Sequence, residues 1–120
     1  QLRQLTSPDA AAPRLAEAIR RLRRGFRGRI AIEELAGAVH MSSTTFHRRF
    51  KQMTSLTPLQ FQQRLRLIEA RRLMLDEGAP ASVSAARVGY ASVPQFTREY
   101  ARLFGAPPAM HVRQLAQRAR

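Results

Sequence analysis

Laid against itself at an offset of 50 residues, the chain matches at Ala36 and Ala86, Ser42 and Ser92, Phe46 and Phe96, Arg48 and Arg98, Phe50 and Tyr100, and Pro58 and Pro108. Such a repeat restricts the fold to two copies of one supersecondary unit. The stretch "SSTTFHRRF" at residues 42–50 shows what the unit contains. At helical spacing Phe46, Phe50 and then Met53 share one face, while Ser43, Thr44, His47, Arg48 and Lys51 project from the rest. Each copy reads as a short helix, a tight turn, a serine-capped helix with an aromatic stripe, and a helix begun by proline. Ala36 and Ala86 stand where two helices crossing after a few residues need a small side chain, the requirement of a helix-turn-helix. A solvated basic face accounts for one such segment. It does not account for Arg48 and Arg98 standing outward at matching places in both.

The remaining periodicity is helical throughout, and no stretch alternates with period two for the length of a strand. Residues 9–25 form a first amphipathic helix, with Leu15, Ile19 and Leu22, followed by Phe26, on one side and Arg20, Arg21, Arg23 and Arg24 on the other, stopped at "GFRG". "AIEELAGAV" forms a short helix with Ile32, Leu35, Ala36 and Val39 inward and Glu33 and Glu34 in the first turn, where the helix dipole favours acids. Ala31 is a poor cap for it. Residues 58–77 form the longest helix, with two apolar stripes, Phe61, Leu65 and Ile68, then Leu67, Ala70 and Met74, as packing against two bodies requires. "DEGAP" ends it. "SVSAARVGY", closed by Gly89, "SVPQFTREYARLF" and "PPAMHVRQLAQRAR" supply three more. The expectation is an all-α fold of about seven helices: a first helix-turn-helix subdomain at residues 14–57, a linker helix at 58–77 and a second subdomain at 78–120. Residues 1–13 read as a linker or the end of a missing upstream domain, and the chain as a fragment.

Charge narrows the partner. Against 8 acids stand 21 basic residues, a net +13, and Lys51 is the one lysine among them. The guanidinium fork clasps phosphate or the guanine edge in a bidentate way, so this bias favours nucleic acid. Cysteine is absent, which excludes disulfides, cysteine zinc sites and a thiol nucleophile. His40, His47 and His111 have no ligand partners at metal spacing. Serines and threonines gather at caps and turns, and the carboxylates are scattered, so neither an enzyme, a metal nor a cofactor is expected. No run is long and apolar enough to span a bilayer, and the N-terminal residues lack the layout of a signal peptide; the expected location is the cytosol.

The residues "IEELAGAVHMSSTTFHRRFKQMTSLTPLQFQQRLRLIEARRLML" and "VSAARVGYASVPQFTREYARLFGAPP" resemble the DNA-binding domain of the AraC/XylS family of bacterial transcription regulators, over about residues 14–115. The resemblance implies two helix-turn-helix units joined by a long helix, with recognition helices in successive major grooves of one duplex face. It implies a nucleoid-associated protein that binds an asymmetric site near 20 base pairs, with grooves one DNA turn, about 34 Å, apart. RNA polymerase and an upstream effector or dimerisation domain are further partners that it suggests, and no membrane. Some DNA-repair alkyl-transfer proteins carry a similar domain, but their chemistry needs the cysteine this chain lacks.

Carried over position by position, the first recognition helix offers Ser43, Thr44, His47 and Arg48 to base edges, and the second Val93, Pro94, Gln95 and Arg98. Arg48 and Arg98 suit guanine O6 and N7, Gln95 suits adenine, and Thr44 or Val93 suits a thymine methyl. Arg21, Arg23, Arg24, Lys51, Thr97 and Arg102 are the expected phosphate contacts. Gln95 lies three residues after Ser92, so its amide is also placed to complete a capping box. Pro94 offers no donor, which inclines the second helix to shape and methyl readout. Arg49 and its counterpart Glu99 are expected against a neighbouring helix or solvent. His40 stands where the family has a glycine, and a left-handed backbone there would cost strain. An Arg-rich module for RNA or an anionic surface is the rival, opposed by Phe46, Phe50, Phe96 and Tyr100 lying on faces expected to be buried. A protein-interaction module is the other.

Overall fold

The computed structural model describes residues 8–119. Among them are seven helices: α1 (Pro8–Gly25), α2 (Ile32–Ala38), α3 (Ser43–Thr54), α4 (Pro58–Asp76), α5 (Ala81–Arg87), α6 (Val93–Phe104) and α7 (Pro108–Arg118). No described residue lies in a strand, and no described helix is long and apolar enough to cross a membrane. The expected linker at residues 1–13 falls mostly outside the described residues; its last six are the start of α1, which runs through Pro13. The chain divides into two compact units between Gln62 and Gln63, inside α4.

In the first unit α1 and α2 both pack on α3. Leu15, Ala18 and Leu22 of α1, Leu35 and Ala36 of α2, and Phe46 and Phe50 of α3 are buried together with Val39, Met41 and Phe26. Phe50 stacks 5.5 Å from Phe46 and meets Phe61 of α4 edge-on at 5.5 Å and 90°. Buried Gln62 donates from its amide nitrogen to the carbonyls of Phe26 (3.1 Å) and Gly28 (2.9 Å), tying down the α1–α2 connection. A buried amide is tolerated there because it satisfies carbonyls the loop would otherwise strand.

The second unit has the same plan. Leu67, Ala70, Leu73 and Met74 of α4, Ala85 and Val88, Tyr90, and Phe96 and Tyr100 of α6 make its core. The stack runs from Tyr90 to Phe96 (5.3 Å), Tyr100 (5.7 Å) and Phe104 (4.5 Å).

Each short helix ends in the same way. Val39 and Val88 close it, and His40 and Gly89 then take left-handed backbone at φ 61° and 100°. Amide bonds run back from Met41 to Ala36 and from Tyr90 to Ala85, both at 2.9 Å. This is the Schellman termination, and His40 carries the positive φ its place implied. A guanidinium then clamps each turn: Arg14 donates to the Val39 and His40 carbonyls at 3.3 and 3.2 Å, and Arg66 to the Gly89 carbonyl at 3.3 Å.

These matches correct the repeat. In the short helices the offset is 49, so Ala36 pairs with buried Ala85, and Ala86 is exposed. In the preceding helices it is 52, matching Arg14 to Arg66, Leu15 to Leu67, Ala18 to Ala70 and Leu22 to Met74. The second turn has one more residue than the first, which restores 50 from Ser42 and Ser92 onward.

Two other core assignments fail. Met53 is 50% exposed, because after Phe50 the inward position falls at Thr54, whose hydroxyl donates to the Phe50 carbonyl at 2.8 Å and thus serves the turn. Ile68 is 42% exposed and the stripe it shares with Phe61 and Leu65 is buried only in part, since the second core takes α4 through Leu67, Ala70, Leu73 and Met74.

Helices α3 and α6 also end alike, with left-handed residues Ser55 (φ 65°) and Gly105 (φ 85°). At both kinds of turn the first unit uses a residue with a side chain where the second uses glycine. Left-handed backbone costs an ordinary residue about 1–2 kcal/mol, offset in glycine by greater unfolded-state freedom. His40→Gly should therefore stabilise the chain by about 0.5–1 kcal/mol. Gly105→Ala, whose added Cβ meets nothing within 4 Å, should cost about 0.5–1 kcal/mol through backbone alone. Denaturant unfolding of both variants measures the two effects.

Candidate nucleic-acid interface

Helices α3 and α6 are built to show one face. Ser42 caps α3 by accepting the Thr45 amide at 3.2 Å, and Ser92 caps α6 by accepting the Gln95 amide at 3.2 Å. With the aromatic stripe buried beneath, the first two turns of each helix stand open. On α3, Thr44, His47, Arg48 and Lys51 are exposed and Ser43 is half-buried; on α6, Val93, Pro94, Gln95, Arg98 and Arg102 are exposed and Thr97 is half-buried.

The side chains of Arg48 and Arg98 make no hydrogen bond or ion pair among the described residues. Other arginines are engaged. Arg20 and Arg21 pair with Glu17 at 2.9 and 3.1 Å, and Arg24 lies 3.7 Å from it; these hydrogen bonds hold the Glu17 carboxyl below the usual carboxylate range. Arg72 pairs with Glu69 at 2.6 Å and reaches Glu77 at 3.4 Å, and Arg87 reaches Glu77 at 3.3 Å. Of the residues expected at phosphates, Arg21 and Arg24 thus already share an acid, while Arg23, Lys51 and Arg102 project without one.

Two of the other polar side chains expected at base edges, His47 and Gln95, are constrained. His47 Nδ1 lies 2.8 Å from the Ser43 carbonyl. A carbonyl only accepts, so Nδ1 is the donor and carries the proton in this contact. Gln95 does not complete a capping box: its amide nitrogen goes forward to Glu99 at 2.8 Å. Glu99 also accepts the Tyr90 hydroxyl at 2.7 Å, so this residue, expected against a helix or solvent, joins the core to the exposed face of α6. The i,i+4 spacing of Gln95 and Glu99 points to their half of this Tyr–Glu–Gln chain; no spacing rule gives the Tyr90 link across the turn. The reciprocal box that does form is one the sequence reading passed over: Thr57 and Gln60 cap α4, with bonds of 3.0 and 3.1 Å.

Behind α6, the Tyr100 hydroxyl lies 2.8 Å from His111 Nδ1 on α7. The His111 ring lies parallel to Phe104 (5.1 Å, 13°), and Arg71 sits 4.6 Å over the same Phe104 ring. Burial pushes the Tyr100 phenol up to about 12, so it keeps its proton beside His111. Burial first, and then the Arg71 and Arg118 cations, hold the His111 imidazole below its ordinary value.

Two units of this kind, each a short helix, a left-handed turn and a capped helix anchored by aromatics, define a double helix-turn-helix domain. A family model described as a helix-turn-helix domain matches residues 35–114. The chain is 39% identical over 88 residues to the RCS-specific transcriptional activator RclR of Escherichia coli K12, a match that covers 71% of this chain and 31% of the relative. It resembles the DNA-binding domain of AdpA, solved in complex with a target DNA (29% identity, TM-score 0.78, 87% of this chain and 94% of that one). It also resembles a transcriptional regulator of Chromobacterium violaceum with an AraC-type DNA-binding domain (26% identity, TM-score 0.82, 91% and 97%). The chain belongs to the AraC family of helix-turn-helix transcription regulators. It spans about a third of the length of the curated relatives it matches.

The Tyr100–His111 pair carries a pH prediction. The native state binds fewer protons than the unfolded chain around and below the ordinary histidine value of 6.5, so stability rises with pH there. The contribution should be present above that value and be lost as the pH falls through it. Thermal unfolding from about pH 5 to about pH 7.5 reads the slope, which His111→Phe should flatten.

Proposed function

We propose that this domain is the sequence-specific double-stranded DNA-binding part of a bacterial transcription regulator acting in the cytoplasm. In this reading residues 14–57 and 78–120 are its two reading units and 58–77 joins them. The observation that carries the proposal is the matched pair Arg48 and Arg98. Each is exposed, each is free of any internal acid, and each stands one turn into a capped helix whose opposite face is buried aromatic. A guanidinium left without a partner in a chain that pairs many of its arginines is available for guanine O6 and N7. The likeness to the AdpA domain bound to its target DNA supports the same reading.

Ser43, Thr44 and His47 accompany Arg48 at base edges, and Val93, Pro94 and Gln95 accompany Arg98. Arg23, Lys51, Thr97 and Arg102 are the phosphate contacts favoured most, with Arg21 and Arg24 available if they leave Glu17. The remaining length of the relatives leaves room for the effector or dimerisation domain of a whole regulator, and RNA polymerase is its downstream partner.

Selection from a random duplex pool at physiological salt tests the proposal, because a chain of charge +13 binds any DNA when salt is low. The expected product is an asymmetric site near 20 base pairs with two short motifs about ten base pairs apart. Arg48→Ala should blur one motif and Arg98→Ala the other, each at a cost of about 1–3 kcal/mol. Strong retention with no enriched motif would show that the charge alone binds, and the base assignments would be withdrawn.

A further inference from the structure

The chain Tyr90–Glu99–Gln95 joins a core residue to an exposed one on the reading helix α6. Both Glu99 oxygens are used: Oε1 accepts from the Tyr90 hydroxyl at 2.7 Å and Oε2 from the Gln95 amide nitrogen at 2.8 Å. Tyr90 is a fixed post. Its ring is buried, lies 5.3 Å from Phe96 and has the Arg66 guanidinium 5.9 Å from its centroid. Burial and the Glu99 contact both push its phenol up, so it remains a donor.

A carboxylate accepts and cannot donate, so the atom of Gln95 that faces Glu99 is its nitrogen. The amide is thereby held one way round, with Oε1 on the side away from Glu99. A free glutamine turns its amide over at little cost and offers a donor or an acceptor as the base requires. Turned over here, Oε1 would face the Glu99 carboxylate, acceptor against acceptor, and the hydrogen bond would be lost.

We propose that Glu99 is a positioning residue that fixes the amide of Gln95, so that the second reading helix selects a base presenting an exocyclic amino group. This rests on the reading of α6 as a base-contacting helix. Adenine N6 and cytosine N4 donate to an outward Oε1, whereas guanine O6 and thymine O4 face it with a second acceptor. Adenine is met best, since a second amide hydrogen remains for its N7. The first reading helix has no such device, for Thr45 and Arg49 stand at the equivalent positions. Glu99 also brings a negative charge to a face that meets phosphates, so it trades general affinity for discrimination.

The test is duplex selection at physiological salt with the 120-residue chain and the variants Glu99→Ala, Glu99→Gln, Tyr90→Phe and Gln95→Ala. The native chain should enrich adenine or cytosine at one position of one motif. Glu99→Ala should admit guanine and thymine there, with discrimination falling on the order of tenfold, while the other motif is unchanged and affinity for non-specific duplex rises. Glu99→Gln keeps the shape but can donate as well as accept, so it should lose discrimination too, and it guards against a folding defect in the alanine variant. Tyr90→Phe should fall between, and Gln95→Ala should erase the preference. If Glu99→Ala and Glu99→Gln keep the native preference while Gln95→Ala loses it, Glu99 does not position the amide. A uniform loss across both motifs would make Glu99 a structural brace and overturn the proposal. A native chain that selects no motif at all takes down the base-reading proposal, and this one with it.

Discussion

The left-handed residue after each short helix decides where the following helix goes. At His40 and Gly89 the backbone reverses so that the next residue, Met41 or Tyr90, returns its amide to Ala36 or Ala85 and buries its own side chain beneath the turn. The carbonyl exposed by that reversal is taken by a guanidinium from the long helix before it, Arg14 in one unit and Arg66 in the other. A hydrogen bond from a charged group is worth about 1.5–3 kcal/mol, enough to offset the strain of placing histidine in left-handed space. The aromatic stripes of α3 and α6 then have one face on which to pack.

The aromatic stripe and the two serine caps were legible in the sequence because they are local: their spacing is set within one helix, and a cap needs three residues. The repeat was legible too, but only at the offset of its most regular part. An offset of 50 aligns Ser42 onward; the single extra residue in the second turn moves the short helices to 49, and the connection after each long helix moves those helices to 52. Hence Ala86 was taken for the crossing residue that Ala85 supplies. Met53 and Ile68 were misplaced for a related reason. Periodicity names a face about 100° wide, and the residues at its margins are buried or exposed according to what stands opposite, which pattern alone does not contain.

The division of the arginines was legible only where an acid lies three or four residues away. Composition treats every guanidinium as surface charge, yet Arg14 and Arg66 close turns, Arg71 covers Phe104, and Arg20, Arg21, Arg72 and Arg87 meet acids. Arg72 with Glu69, and Arg20 and Arg21 with Glu17, pair at the i,i+3 and i,i+4 spacings that sequence suggests. The Arg87–Glu77 pair and both turn clamps depend on elements brought together by folding. The surface left for a polyanion is accordingly smaller than a net charge of +13 implies, and Arg48, Lys51, Arg98 and Arg102 place part of it on α3 and α6.

That localisation bears on how a strongly basic domain discriminates at all. Phosphate attraction is indifferent to sequence, and every cation that serves it raises binding to the wrong site as much as to the right one. Discrimination comes from groups whose orientation is fixed before contact, because a side chain free to turn satisfies several bases and rejects none. Under the proposed reading, the fixing group in α3 is the Ser43 carbonyl against His47 Nδ1. In α6 it is Glu99, itself held by Tyr90. Both constraints are made within one unit: the Ser43 carbonyl belongs to the first turn of α3, and Glu99 is held by Tyr90, which is buried in the second core.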